Sequence, residues 1–271
     1  MERLMMSSHT ASRGTFRELV EATAGAGVNA IALTYKDYRR FSDAGESDLD
    51  MVAVAKANSV RVADVEALFA ALEPDPSGRT ADFADRLFRV ADLFGADSIG
   101  LHSNFEGGPH AAALRLAHLC DRAATHGLAI GVEPVAVMDV KDLATAWEIV
   151  RLADRSNAGL VIDTWHFVRG AGDLEMIRSL PGRAVRAVQI SDGYLVAPPG
   201  LDYLEDTLTN RLPPGEGEFD LVGIIRALAE ISADVVWDME ICSTVLDALP
   251  GPEAARRASE ATRRVLALAS S

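Results

Sequence analysis

From the middle of the chain onward, four short apolar runs each end in a side chain that can offer oxygen to a cation: Glu133 after LAIGV, Asp163 after AGLVI, Gln189 after AVRAV, and Glu240 after DVVWDM. Buried parallel strands read as near-continuous apolar runs, and strand-helix repeats gather their ligands where the strands' C-terminal ends meet. Three carboxylates and one amide oxygen at such ends can converge on one hard divalent ion, Mg²⁺ or Mn²⁺ before others. His166 follows Asp163 by three residues and adds an acid, base or substrate contact at the same mouth. Taken alone, an acid at a strand end is more often a helix cap or ion-pair partner; the recurrence at four strand ends points to a shared site.

The elements that must position these residues follow from hydrophobic periodicity. RLMMSS, VNAIAL, VRVADVEAL, DSIGLHS, LAIGVEP, AGLVIDTWH, AVRAVQISD and DVVWDMEI read as strands, separated by helical stretches such as FRELVEATAGAG, DLDMVAVAKANS, ADFADRLFRVADLFG and AAALRLAHLCDRAATHG. Further helices are expected at KDLATAWEIVRLADRS, LEMIRSL, FDLVGIIRALAEI and AARRASEATRRVLALA. About eight such units let a parallel sheet close on itself, so the expected fold is α/β, a (β/α)₈ TIM barrel formed by one domain over residues 1–271. A doubly wound open sheet is the competing architecture. Against it, no early strand is followed by a Gly-x-Gly-x-x-Gly and no phosphate-cradling Gly-rich loop ends in Lys-Ser/Thr.

The stretch between QISD and FDLVG, running from Gly193 to Glu218, is far longer than the usual ~2–6-residue connection, and such an insertion after a barrel strand is a lid or binding-loop candidate. Length and 49% hydrophobic content allow one large core. With 26 Lys and Arg against 40 Asp and Glu, the net charge of -14 argues against nucleic-acid binding. No apolar stretch is long enough to span a bilayer and no leader is evident, so a cytoplasmic, membrane-free protein is expected. Cys120 and Cys242 have no paired spacing. Cys120 reads as core, and Cys242 approaches the site without an activating base beside it.

The segments GVEPV, IDTWH, VQISD, RLPPGEGEFDL and DMEI, in this order, resemble the xylose-isomerase-like barrel superfamily of sugar-phosphate isomerases and epimerases, which also contains apurinic endonucleases. The resemblance spans nearly the whole chain and implies one divalent cation, Mn²⁺ or Mg²⁺ first and Co²⁺ or Zn²⁺ next, held by Glu133, Asp163, Gln189 and Glu240. It implies substrate contacts for His166 and for Arg211 of RLPPGEG, whose guanidinium fork suits carboxylate or phosphate; an ion pair anchoring the loop is the equal alternative for Arg211. His102 of GLHSN is a further candidate for the substrate pocket.

Glu133 and Glu240 are then expected to carry protons to and from a substrate carbon, giving a metal-dependent isomerase or epimerase of a small keto- or aldo-sugar or related hydroxy-keto compound. A dehydratase of a keto-cyclitol or 3-dehydroshikimate-like substrate is the first alternative, and a noncatalytic or subunit barrel the second. The three-zinc nuclease reading fails on histidine supply: the chain has six, and Gln189 stands where one is needed. A homodimer is the default assembly expected of such barrels. Asp192 reads as a hydrogen-bonding partner of the site rather than a ligand.

Overall fold

The computed structural model describes residues 3–11 and 14–271. Its strands are β1 (Leu4–Ser7), β2 (Ala30–Thr34), β3 (Arg61–Phe69), β4 (Ser98–His102), β5 (Ala129–Val132), β6 (Ala158–Asp163), β7 (Val185–Gln189) and β8 (Val236–Met239). Each pairs in parallel with the next, and β8 returns to β1 with Leu4 beside Trp237 and Met6 beside Met239, closing the barrel. The expected (β/α)₈ architecture is therefore the observed one. Helices cover the outside because each has one apolar stripe: Phe16, Leu19, Val20 and Thr23 are buried on helix Phe16–Gly25, and Leu87, Phe88 and Ala91 on helix Arg79–Phe94. Together with the outward-facing strand residues, such as Ile31, Val65, Ile99 and Ile162, they form the main core.

Two local differences from the sequence expectation have clear causes. The run AGLVIDTWH does not stay extended to His166. Asp163 ends the strand because its Oδ1 accepts a hydrogen bond from the Trp165 N–H at 2.7 Å, which caps helix Thr164–Arg169. That turn swings His166 back over the barrel mouth. Three further helices, Tyr35–Asp43, Tyr203–Thr209 and Thr244–Asp247, lie in stretches too short or too polar for periodicity to find. The first starts on Thr34, whose side chain caps Asp37, so the end of β2 passes directly into a helix.

The bore of the barrel is unusual. Barrels of this kind are ordinarily filled with layers of bulky branched side chains, but here Met5, Ala30 and Ala32 form a small separate cluster with Ala63 and Val236. Glycines add to the hollowness: a Cβ on Gly131 would meet Val161 at 2.6 Å, and one on Gly159 would meet Arg186 Nε at 2.5 Å. The resulting cavity of about 530 Å³ opens toward the strands' N-terminal ends and is lined by Asp64, Glu66, Gln189 and Asp238 together with Arg186. Asp238 is fully buried, and neither of its carboxylate oxygens has a hydrogen-bond partner among the described residues.

Burial is the largest influence on these acids. It pushes Asp64 up to about 7 despite the hydrogen bond from Ser98, and it raises Glu66 and Asp238 well above the carboxylate range, with Glu240 adding to both. A carboxyl whose folded pKa is raised favours the protonated folded state. The stability it contributes is present below its unfolded value of about 4 and is lost as pH rises through the folded one. The metal-free protein should therefore melt at lower temperature at pH 8 than at pH 5. Asp238→Asn keeps the shape and removes one titrating group, so at pH 8 it should melt higher than wild type by at least about 2 °C, the shift that ~1 kcal/mol makes in a domain of this size. Melting curves followed by circular dichroism at the two pH values check this; equal pH dependence in the two proteins would contradict it.

Candidate metal centre and active site

At the opposite end of the barrel a second cavity, of about 450 Å³, has Glu133, His102, His166, Arg211 and Glu240 among its lining residues. Glu133, His102 and Glu240 stand at strand ends, His166 on the helix that follows β6, and Arg211 in the segment between β7 and β8. Glu133 follows β5 and its N–H donates to Leu101 of β4 at 2.8 Å, which holds the residue in line with the sheet. His102 closes β4, and its Nδ1 lies 3.1 Å from Glu133 Oε2. His166 Nε2 stands 3.5 Å from Glu133 Oε1 and 3.6 Å from Asp163 Oδ2. Glu133, Asp163 and His166 can each offer one atom to a point where all three atoms lie within 4.8 Å of one another, and all three residues are buried.

Arg211 occupies the other side of the same group. Its Nη1 is 2.8 Å from Asp163 Oδ2 and 3.1 Å from Glu240 Oε2, it donates to the Glu240 carbonyl at 3.2 Å, and its Nε donates to the Thr207 carbonyl at 3.1 Å. Only 2% of this arginine is exposed. Its contacts in this structure are therefore with the acids and the insertion backbone. Gln189 pairs in register with Asp163 on β6 and with Asp238 on β8. Its Nε2 donates to Glu66 Oε1 at 3.1 Å, while its Oε1 has no partner among the described residues. Neither Gln189 nor Glu240 belongs to the compact three-residue group, and Gln189 lines the bore cavity rather than the mouth.

The electrostatics separate the two glutamates. Burial favours the neutral form of Glu133, but His102, through charge and hydrogen bond, together with His166 and Arg211 outweighs it and leaves its carboxyl below the ordinary value. Burial dominates at Glu240 and pushes it up to about 8, against Arg211 and helped by Asp163 and Glu133. Burial lowers His166, with Asp163 and Glu133 opposing, which keeps the imidazole neutral and able to bind a cation. At His102, burial is overcome by Glu133 and the pKa rises. Two carboxyls facing one cavity with pKa values displaced in opposite directions are equipped to act as base and acid.

The insertion reaches the site through its helix Tyr203–Thr209. Tyr203 Oη and His166 Nδ1 share a hydrogen bond of 2.6 Å, and the two rings stack with centroids 5.8 Å apart. Trp165 Nε1 donates to Thr207 Oγ1 at 3.1 Å. Arg169 lies 4.5 Å above the Trp165 ring and pairs with buried Asp206 at 2.8 Å. Asp192 ties the two ends of the segment: its Oδ1 accepts from Gly193 and Phe219, and its Oδ2 from Gly215. Cys242 lines the mouth cavity, but burial raises its thiol strongly, which suppresses the nucleophilic thiolate.

Glu66 and Tyr203 are the site residues that sequence reading does not single out. Glu66 lines both cavities and so forms part of the wall between them. Its signal is present in the sequence: Asp64 and Glu66 are two apart within an otherwise apolar strand, which puts both on one face. Tyr203 carries no such signal, because the insertion lacks a readable period.

Residues 20–265 match the family model described as xylose isomerase-like TIM barrel. Over 78% of the chain the sequence is 32% identical to a 3-dehydroshikimate dehydratase of Pseudomonas aeruginosa, of which the match covers 34%. Over 56% of the chain it is 30% identical to an inosose isomerase of Bacillus subtilis, of which the match covers 52%. The chain thus spans about a third to a half of the length of these relatives. Among solved structures, an IolI protein carrying a zinc atom superposes with a TM-score of 0.88 at 21% identity, over 98% of both chains. No helix among the described residues is long and apolar enough to cross a membrane.

Arg211 offsets the repulsion between Asp163 and Glu240, so Arg211→Met should cost about 3–5 kcal/mol of stability, the usual penalty for leaving buried charge uncompensated. Saturating Mn²⁺ should return part of that loss, because it supplies positive charge to the same acids. Urea unfolding with and without Mn²⁺ reads both effects. A loss below ~1 kcal/mol would show that the contact is not needed for stability.

Proposed function

Since the chain belongs to the xylose isomerase-like TIM barrel family, we propose that it is a divalent-metal-dependent isomerase or epimerase of a small hydroxy-keto or sugar-like compound. The observation that carries this reading is that Glu133 and Glu240, from two different strand ends, line one cavity beside the compact donor group Glu133, Asp163 and His166. Glu133 accepts a proton from the carbon beside the carbonyl. Glu240 returns one to the neighbouring carbon or to the opposite face. The C–H electron pair becomes the C=C of an enediolate and the carbonyl oxygen takes the charge. In epimerisation the proton returns to the same carbon from the other face and the carbonyl re-forms. In isomerisation it adds to the former carbonyl carbon, while the neighbouring hydroxyl proton passes to the former carbonyl oxygen and that neighbour becomes the new carbonyl.

The residues present fit a cation. Glu133, Asp163 and His166 form the compact donor group, and the free Oε1 of Gln189 together with Glu240 completes the candidate set. Three carboxylates, an amide and a neutral imidazole suit Mn²⁺, and Mg²⁺, Co²⁺ or Zn²⁺ remain compatible with such mixed donors. A bound divalent ion supplies the Lewis acidity that makes the C–H acidic and the negative charge tolerable. His102 holds Glu133 in place and faces the substrate oxygens. Arg211 orients Asp163 and Glu240 and lends positive charge to the substrate side. The substrate is a small molecule, neither nucleic acid nor lipid.

The dehydratase relative supports a second reading, in which the same first step is followed by loss of a hydroxyl. Glu240 would then deliver its proton to the leaving oxygen instead of to carbon. The product distinguishes the two, since elimination creates an unsaturated chromophore and proton return does not.

The test is turnover of ketoses, inososes and 3-dehydroshikimate in D₂O with Mn²⁺. Isomerisation or epimerisation places deuterium beside the carbonyl, and Glu133→Gln and Glu240→Gln should each reduce the rate on the order of 10²–10⁴-fold. Chelation should abolish it. Unchanged exchange in both variants, or full activity after chelation, would defeat the proposal, and a new ultraviolet absorbance would shift it to dehydration.

A further inference from the structure

The mouth cavity has two different halves. Its floor is polar, made by Glu66, His102, Glu133, His166, Arg211 and Glu240. Its upper wall is largely apolar: among the described residues that line it above the floor, Lys36 alone carries a fixed charge. One part of that wall is aromatic, with the Tyr35 and Phe83 rings packed edge to face at 5.2 Å and Phe69 beside the His102 ring at 4.5 Å. Another part comes from the β5 loop and the insertion helix, where Tyr203, Leu204, Thr207 and Leu208 share one face toward the cavity.

Several of these side chains are left in water. Leu204 is 63% exposed, Val137 62%, Phe69 53% and Leu208 50%, and all four line this one cavity. Scattered exposed apolar residues need no explanation, whereas a set converging on a pocket with acid-base groups at its base marks a surface that a ligand covers. A polyol tail placed there would surrender water to a wall most of whose surface offers it no hydrogen bonds, at a cost that apolar contact does not return.

We propose that the substrate of this site has an apolar body, a ring or hydrocarbon substituent, attached to the hydroxy-keto edge that meets the polar floor, and that Phe69, Phe83, Val137, Leu204 and Leu208 select it. The inference rests on the enolising reading above. It makes this barrel a poor host for a free linear sugar, although its reacting groups are suited to one.

The experiment compares three α-hydroxy ketones that present the same reacting edge: hydroxyacetone, 2-hydroxyacetophenone and D-fructose. Binding is measured by calorimetry to the Mn²⁺-loaded full chain. The phenyl compound should bind roughly tenfold or more tighter than hydroxyacetone, as burial of a ring against such a wall requires, and fructose no tighter than hydroxyacetone. In the doubly substituted protein Leu204→Gln/Leu208→Gln the phenyl advantage should shrink to about threefold or less. Equal affinities in the wild-type protein, or a preference for fructose, overturn the apolar body and leave the enolising site intact. Binding of none of the three in the presence of Mn²⁺ overturns both.

Discussion

Asp163 and Glu240 belong to different strand ends, and one guanidinium touches both. Everything at the mouth depends on this contact. Carboxylates brought together in a water-poor space repel one another and resist charging, so a barrel that collects them must also supply positive charge from within. Arg211 does so from the far end of a long insertion, and its backbone N–H donates to the Cys242 carbonyl just past β8. The insertion is therefore part of the electrostatic structure of the centre as well as its cover. Among the described residues Arg211 is the one ion-pair partner of Glu240, and burial prevails there, whereas at Glu133 the charge and hydrogen bond of His102, with His166 and Arg211, outweigh burial. That difference is why the two glutamates titrate in opposite directions.

The alternation of strands and helices is readable because most strands carry a near-continuous apolar run, broken inside by Asp64 and Glu66 in β3, Arg186 in β7 and Asp238 in β8. The acids at the ends of β5, β6 and β8 were readable for the same reason, since they interrupt those runs. What the sequence could not specify is who touches whom. Spacing alone leaves Arg211 as substrate holder or loop anchor, and only the closed barrel shows its guanidinium against Asp163 and Glu240. His166 looked like a neighbour of the acids by spacing alone, and it takes the cap at Asp163 to turn it toward Glu133. Tyr203 was invisible because it sits in a segment whose fastening, through Asp192, Asp206 and Thr207, is made of polar contacts that leave no period.

The hollow bore and the crowded mouth are two sides of one arrangement. Glu66 belongs to both, accepting from Gln189 on the wall between them. Small residues beneath it, Ala, Gly and Ser, forgo the packing that branched side chains would give. Asp64 and Asp238 occupy part of that space, where burial raises both above the ordinary carboxylate value. Repulsion from Glu133 and Glu240 adds to it, so the acids of the mouth and of the bore are coupled without touching.

The clasp at Asp192 has a consequence for how such a barrel diversifies. Its carboxylate gathers the backbone of Gly193, Gly215 and Phe219, and Leu212 exchanges two hydrogen bonds with its main chain, so the insertion leaves and rejoins the barrel at a single knot. Between those points the chain can lengthen, shorten or change composition at small entropic expense, since doubling a loop costs only ~0.6 kcal/mol. Such exchanges must still keep Tyr203, Thr207 and Arg211, through which the segment reaches His166, Trp165 and the acids at the strand ends. A lineage can in this way change the outer part of the segment while keeping the contacts that hold the strand-end cluster.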